Sequence, residues 1–303
     1  MVVLHSLSAD TVARLAAAGL DPEAVEELIR VALVEDLADG FDVTSTATIP
    51  ADQRCVVTFG ARDAGVVAGL PVAAAVVEMV CGDTAGAFDY LVSDGDAVRP
   101  GSVVARVTAP TALMLTAERT ALNLVCHLSG VASQTARWSA ALHGTNASVR
   151  DTRKTLPGLR ALQKYAVRCG GGVNHRMGLY DAALVKDNHV ASAGGVAEAY
   201  TAVCDLEGTI PVEIEVDSLD GLRIAIGAGA EAVLIDNFTI DQMRAAVALR
   251  DEIGPAVGLE ASGGLTLETA AEVAATGVDY IAVGELTHSV RVLDLGLDWQ
   301  TIV

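Results

Sequence analysis

Six short runs of buried-strand type recur through the second half of the chain, at Val149, 182–185, 212–216, 232–235, 258–261 and 280–283. Helical patterns separate them, at 194–204, 218–226, 239–253 and 266–275. Runs this short, set between helical segments, read as buried strands, as in a parallel sheet. Strand and helix alternating every 20 to 30 residues or so are βα units. Six strands are fewer than a full βα barrel needs, so a smaller barrel or one left open is expected.

The first half follows a different pattern. Asp21-Pro22 followed by Val25, Leu28, Ile29, Ala32 and Leu33 predicts a capped amphipathic helix running to about residue 37. β-type runs follow at 55–59, 65–68, 88–92 and 102–107, with a helical run at 71–80 among them. A smaller N-terminal domain over 1–117 is expected, then the barrel over 118–288, with the tail 289–303 packing back on the first domain. Residues 111–142 are helical in pattern, with a break expected at Ser129-Gly130. The segment 93–101 is similar to the turns of lipoyl and biotinyl carrier hairpins. Those domains modify a lysine at the turn, and no lysine precedes Lys154, so a plain tight turn is expected.

Charge narrows the function. The chain carries −19 overall, yet residues 150–186 hold Arg150, Arg153, Lys154, Arg160, Lys164, Arg168, Arg176 and Lys186 against only Asp151 and Asp181. That stretch is +6, the remainder −25, and all three lysines of the chain lie inside it. Cations gathered in one segment of an acidic protein suit a polyanionic small molecule. The overall charge disfavours nucleic acid and anionic membrane surfaces as partners. The longest apolar stretch, 66–77, contains Gly69 and Pro71 and is too short to span a bilayer. The N-terminal residues have no basic region followed by a long apolar one, so no signal peptide is expected. Five widely spaced cysteines without a C-x-x-C pair predict reduced thiols in a cytoplasmic protein.

In parallel α/β folds the loops at the strand C-termini carry the chemistry. Five of the predicted strands end in polar residues: Lys186-Asp187-Asn188-His189, Glu213-Ile-Glu215-Val-Asp217, Asp236-Asn237, Glu260-Ala-Ser262-Gly263-Gly264 and Gly284-Glu285. Glycines after the last two strands allow backbone N–H groups to approach a phosphate, although a plain βα turn needs them too. Glu215 and Asp236 suit Mg²⁺ or a developing cation, or structural ion pairs with Arg and Lys. Arg153 and Arg176 offer planar forks to carboxylates, while Lys154 and Lys186 supply point charges. His175 stands beside Arg176 as a further candidate. Arg160, Lys164 and Arg168 fall at i, i+4, i+8 and predict a solvated helix face; Tyr165 is expected to pack, and His127, His143 and Arg137 to be structural.

Several motifs together resemble the quinolinate phosphoribosyltransferase family. They are Glu118-Arg119-Thr-Ala-Leu-Asn123, Asp151-Thr-Arg-Lys-Thr155 with Pro157-Gly158-Leu159-Arg160, Asn174-His-Arg-Met-Gly178, Lys186-Asp-Asn-His189, Glu213 to Asp217, Glu260 to Gly264 and Leu286-Thr-His-Ser289. The resemblance implies an N-terminal α/β sandwich, an open TIM-like α/β barrel, and a homodimer. It implies joining of quinolinate to phosphoribosyl pyrophosphate with Mg²⁺, giving nicotinate mononucleotide, pyrophosphate and carbon dioxide. By motif, Thr152, Arg153, His175 and Arg176 would bind quinolinate, and Arg119 would reach in from the partner subunit. Lys154, Lys186, Glu215 and Asp236 would serve the reacting centre, the two carboxylates also meeting the metal. Ser262, Gly263, Gly264, Val283, Gly284 and Glu285 would cradle the 5-phosphate. Two residues depart from the pattern: Gln163 replaces a frequent Glu on a helix expected to be exposed, and Glu285 replaces a small residue. A carboxylate beside phosphate is repulsive, so the Glu285 side chain is expected to point away. Two other readings compete: a Schiff-base lyase using Lys186, and a non-catalytic oxyanion-binding relative.

Overall fold

The structure, a computed structural model, describes residues 3–38, 40–206 and 210–302; Met1, Val2 and Val303, which bound the expected domains, lie outside them. In chain order the elements begin with α1 (Ala9–Ala17), α2 (Pro22–Leu37), α3 (Val43–Thr48), β1 (Arg54–Ala61), β2 (Gly65–Val66) and α4 (Leu70–Cys81). Next come β3 (Phe88–Tyr90), β4 (Ala97–Val98), β5 (Val103–Pro110), α5 (Thr111–Ala141), β6 (Ser148–Arg150) and α6 (Arg160–Cys169). They continue with β7 (Ala183–Val185), α7 (Asp187–Ala193), α8 (Val196–Cys204), β8 (Val212–Val216), α9 (Leu219–Gly227) and β9 (Ala232–Asp236). The last are α10 (Ile240–Ile253), β10 (Gly258–Ser262), α11 (Ala270–Ala274), β11 (Tyr280–Ala282), α12 (Glu285–His288) and β12 (Leu295–Ile302).

The chain forms two compact units. The first combines Met1–Gln134, Pro157–Gly171 and Ser289–Val303. Its sheet runs β12-β1-β5-β3, all antiparallel, and the tail enters it as β12 paired along β1. Helix α4 packs with α1, α2 and β5, and its apolar residues are buried nearly all round. Gly69, at φ +97°, leads into α4, and Asp94 caps it by accepting from Gly69 N at 2.7 Å and Leu70 N at 3.1 Å. The 93–101 turn thus serves as a helix cap.

These units differ from a split at 117/118, because part of α5 and all of α6 belong to the first. The reason lies in how α6 is buried. Lys164 and Gln163 are both 0% exposed, so Lys164 leaves the predicted solvated face and Gln163 is not exposed, whereas Arg168 is exposed as expected and Arg160 half-buried. Gln163 Nε2 lies 2.9 Å from His127 Nε2, Tyr165 Oη donates to Asp94 Oδ2 at 2.6 Å, and Arg168 Nη2 donates to Ala18 O at 2.7 Å. Burial pushes the Asp94 carboxyl up, and the Tyr165 hydroxyl pulls it partly back.

Helix α5 is continuous through Ser129-Gly130, where a break was expected. Ser129 Oγ accepts from Ala68 N at 3.0 Å and donates to Ala68 O at 3.2 Å. A Cβ on Gly130 would collide with the Arg291 carbonyl oxygen. The pair marks a close approach of backbones to the helix, not its end.

The second unit combines Thr135–Leu156 and Gly172–His288. Its sheet is wholly parallel in the order β6-β11-β10-β9-β8-β7, and all six predicted strands are present. Beyond β6 there is one further parallel bridge, Arg150 with Val173. Among the described residues β7 pairs with β8 alone, so the barrel is open. The helical run predicted at 194–204 begins later, as α8, because Gly194 at φ +94° ends α7.

Gly130→Ala separates two opposing effects. Helix propensity alone favours alanine by about 1 kcal/mol. The collision with Arg291 backbone should reverse that sign, so a lower urea midpoint is expected, whereas a higher one would show that the tail does not press on α5.

Candidate active site

Alternation along the strands places one set of side chains on the inner face of the barrel. Residues two apart share that face, so Arg150 and Thr152, Glu213 and Glu215, Leu234 and Asp236, and Glu260 and Ser262 form successive levels. Register fixes the upper level: Ser262 pairs with Asp236, and Glu215 with Leu234 one step below. A cavity of about 440 Å³ opens there, lined by Thr152, Arg153, Lys154, His175, Arg176, Lys186, Glu215, Asp236, Glu260 and Ser262 with Leu184, Leu234 and Ala282. Arg153, Arg176 and Lys186 thus line one cavity with Glu215 and Ser262.

On the rim, Lys186 Nζ meets Glu215 Oε2 at 2.5 Å, and Asn237 Nδ2 donates to Asp236 Oδ2 at 2.6 Å. Arg176 Nη1 donates to Ala182 O at 3.1 Å, linking the 174–182 loop to the start of β7. Desolvation pulls the Arg176 guanidinium down from its ordinary value, and the like charge of Arg153 adds to this. Two guanidiniums close enough to repel are well placed for an anion with two carboxylates.

The level beneath holds charge where a barrel interior is usually apolar. Arg150 Nη1 lies 2.7 Å from Glu260 Oε2 and 3.9 Å from Glu213 Oε1, with its guanidinium carbon 4.7 Å from the centre of the Tyr280 ring. His175 Nε2 lies 2.8 Å from Glu213 Oε2, in ion-pair range but outside hydrogen-bond alignment, and 3.8 Å from Glu260 Oε1. Burial, then the neighbouring Glu213, pushes the Glu260 carboxyl up to about 7, while His175 and Arg150 act in the opposite direction. Glu213, Glu260 and His175 bring three potential metal donors within 4.8 Å. Arg150 already supplies a cation there, and Glu215 and Asp236 at the rim are the more open carboxylates.

The loop after β10 has the conformation its glycines allow. Gly263 has φ +95°, and a Cβ there would collide with Asn237 Oδ1; Gly264 has φ +60°. Asn237 itself has φ 58° and donates its N–H to Ser262 O at 2.9 Å, tying the two loops together. Val283, expected in the phosphate cradle, donates its N–H to Arg150 O at 2.9 Å and so extends the sheet. Glu285 accepts from Trp138 Nε1 at 3.3 Å, directing its carboxylate toward a fully buried indole. A Cβ on Gly284 would come within 3.0 Å of Lys154 Cδ. The buried Thr287 hydroxyl donates to Lys154 O at 2.9 Å, fixing that loop. Arg119 is exposed on α5 and is not among the lining residues.

Arg150, Glu213, Glu260, Asp151 and Thr287 had no assigned role from the sequence. The signal for the first three is the two-residue spacing itself, since a strand that directs Glu215 or Ser262 inward directs Glu213 or Glu260 inward as well.

Comparison with known proteins gives a consistent picture. The family model of the quinolinate phosphoribosyl transferase C-terminal domain matches residues 131–298, and that of the N-terminal domain matches residues 42–129. The nicotinate-nucleotide pyrophosphorylase (carboxylating) of Mycobacterium leprae (strain TN) is 52% identical over 276 residues, covering 91% of this chain and 97% of that protein. The probable enzyme of the same name from Bacillus subtilis (strain 168) is 38% identical over 276 residues, 90% of this chain and 93% of that one. The solved nicotinate-nucleotide pyrophosphorylase from Francisella tularensis aligns with a TM-score of 0.85 at 36% identity, over 92% of this chain and 96% of that chain.

A carboxyl raised by folding keeps its proton where the unfolded chain has released it. Stability should therefore fall as pH rises from the ordinary value of 4.5 through about 7 at Glu260. Glu260→Gln should flatten that slope by up to about 1.4 kcal/mol per pH unit, measured as the difference between variant and wild-type denaturation curves. Parallel curves would place the titration elsewhere.

Proposed function

The chain belongs to the quinolinate phosphoribosyltransferase family, and on that premise we propose that its barrel cavity is where quinolinate meets phosphoribosyl pyrophosphate. The enzyme transfers the phosphoribosyl group to quinolinate with loss of carbon dioxide, forming nicotinate mononucleotide and pyrophosphate in NAD biosynthesis. The observation that carries the site assignment is the convergence of Arg153, Lys154, Arg176 and Lys186 on one cavity with Glu215, Asp236 and Ser262.

Quinolinate brings two carboxylates, and Arg153 and Arg176 offer forks to them from one side of the cavity. Binding relieves the repulsion between these two cations. The donor's 5-phosphate would rest on Ser262 to Gly264 and the Gly284 turn, with Lys154 alongside. Attack by the ring nitrogen on the ribose carbon expels pyrophosphate, and positive charge grows on the sugar as the bond breaks. Glu215 and Asp236 face that charge and stabilise it electrostatically. Lys186, joined to Glu215, orients the carboxylate. After transfer the ring nitrogen is cationic. The adjacent carbon–carboxylate bond then breaks, carbon dioxide leaves, and the remaining electron pair, stabilised by the ring charge, takes up a proton. Positioning supplies the rest of the rate.

Mg²⁺ suits Glu215 and Asp236, because a hard cation shared between protein carboxylates and substrate phosphates needs few protein oxygens. When bound it would neutralise charge on the departing pyrophosphate. A Schiff-base role for Lys186 fits less well, since its side chain is 48% exposed and ion-paired, whereas a nucleophilic lysine is desolvated. The presence of Arg119, Arg153, His175 and Arg176 together favours catalysis over simple oxyanion binding. We assign the exposed Arg119 to the cavity of a second subunit in a homodimer. A cytoplasmic location accords with five free cysteines.

Incubation with quinolinate, phosphoribosyl pyrophosphate and Mg²⁺ should yield nicotinate mononucleotide, and equal product from nicotinate would overturn the substrate assignment. Arg119→Ala and Arg153→Ala should each abolish turnover. Their equimolar mixture, after subunit exchange, should recover about a quarter of wild-type activity if sites are shared across a two-fold axis. No recovery would mean that each chain builds its site alone.

A further inference from the structure

His175 lines the cavity, yet its ring nitrogens are engaged on the protein side. Nδ1 accepts the main-chain N–H of Arg176 at 2.6 Å. A nitrogen that accepts carries no proton, so in the neutral ring the proton sits on Nε2. That nitrogen is buried, 2.8 Å from Glu213 Oε2 and 3.8 Å from Glu260 Oε1. Both carboxylates thus lie within ion-pair range of that nitrogen. The residue's own N–H donates to Asp151 Oδ1 at 2.8 Å, while Asp151 Oδ2 accepts from Asn174 Nδ2 at 2.6 Å. The imidazole therefore joins the charged level beneath the cavity to the main chain of Arg176.

We infer that Glu213 and Glu260 are positioning residues for quinolinate, acting through the His175 ring to hold Arg176 where it meets a substrate carboxylate. The inference rests on the quinolinate reading above and assigns His175 a different part from a direct carboxylate ligand. Arg150, 2.7 Å from Glu260, keeps that carboxylate in place and the pair of like charges tolerable. The second hold on Arg176 is its Nη1 bond to Ala182 O at 3.1 Å, which restrains the head of the side chain but not its root. Loss of the Nδ1 contact would leave the root free to shift while the head stays tethered. A neutral amide at position 213 changes the logic of the ring. With its carbonyl oxygen kept toward Arg150, whose Nη1 lies 3.9 Å from Glu213 Oε1, its NH₂ faces Nε2, the proton moves to Nδ1, and that nitrogen then opposes the Arg176 N–H.

Glu213→Gln is the discriminating variant, with Glu213→Asp as the charge-conserving control. With wild-type enzyme active, Glu213→Gln should raise KM for quinolinate by about 10- to 100-fold, while KM for phosphoribosyl pyrophosphate stays within about twofold. Glu213→Asp should recover much of the loss, and thermal midpoints should show both variants folded. In ¹⁵N-histidine spectra, assigned by difference against His175→Gln, wild-type His175 should show an unprotonated Nδ1 and a protonated Nε2, reversed in Glu213→Gln. An unchanged KM for quinolinate in folded Glu213→Gln, or a protonated Nδ1 in the wild type, would overturn the inference. Equal rises in both KM values would do the same, by showing a general loss of shape. If wild-type enzyme does not consume quinolinate, the functional reading fails instead, and the spectra still report on the ring.

Discussion

Beneath the candidate active site, the Arg150 guanidinium lies against the buried Glu260 carboxylate, and the polar levels above it depend on that contact. Two carboxylates inside a barrel are costly to desolvate, and they repel one another. Arg150 offsets both costs at once, reaching toward Glu213 and stacking over Tyr280. Such a layer is a poor source of stability, since an apolar set of the same shape is often as stable or more so. What an apolar layer could not do is orient an imidazole. The charged level is better understood as alignment than as strength.

The rim shows the complementary economy. Arg153 and Arg176 are near enough for each to oppose the charge of the other, and Lys154 and Lys186 share the same cavity. A site assembled this way is more comfortable with an anion bound than empty. Strand geometry makes the arrangement possible, because parallel strands bring their C-terminal residues to one end regardless of distance along the chain.

Much of this was legible in the residues, for reasons that differ from place to place. The six barrel strands are short and alternate with helices at regular spacing, a pattern with few alternatives. The rim residues follow strand ends and so declare their position. Helix α6 shows where such reading stops. Spacing of Arg160, Lys164 and Arg168 on one face says nothing about what covers that face, and Lys164 is in fact fully buried. Ser129-Gly130 misled in a similar way. Small residues in a helix mark either an end or a close neighbour, and only the path of the tail past α5 decides between them. Glu213 and Glu260 stand in the sequence beside Glu215 and Ser262 with nothing to separate their roles; only the contacts with Arg150 and His175 do so.

The antiparallel sheet has a consequence for how the molecule comes into being. Strand β1 is paired on one side with β5, and on the other with β12, which follows every barrel strand in the chain. Until β12 has emerged from the ribosome, β1 has a bare row of backbone donors and acceptors of the kind that recruits stray strands. The barrel strands are thus synthesised before that sheet is complete, and its final strand finishes a domain begun long before.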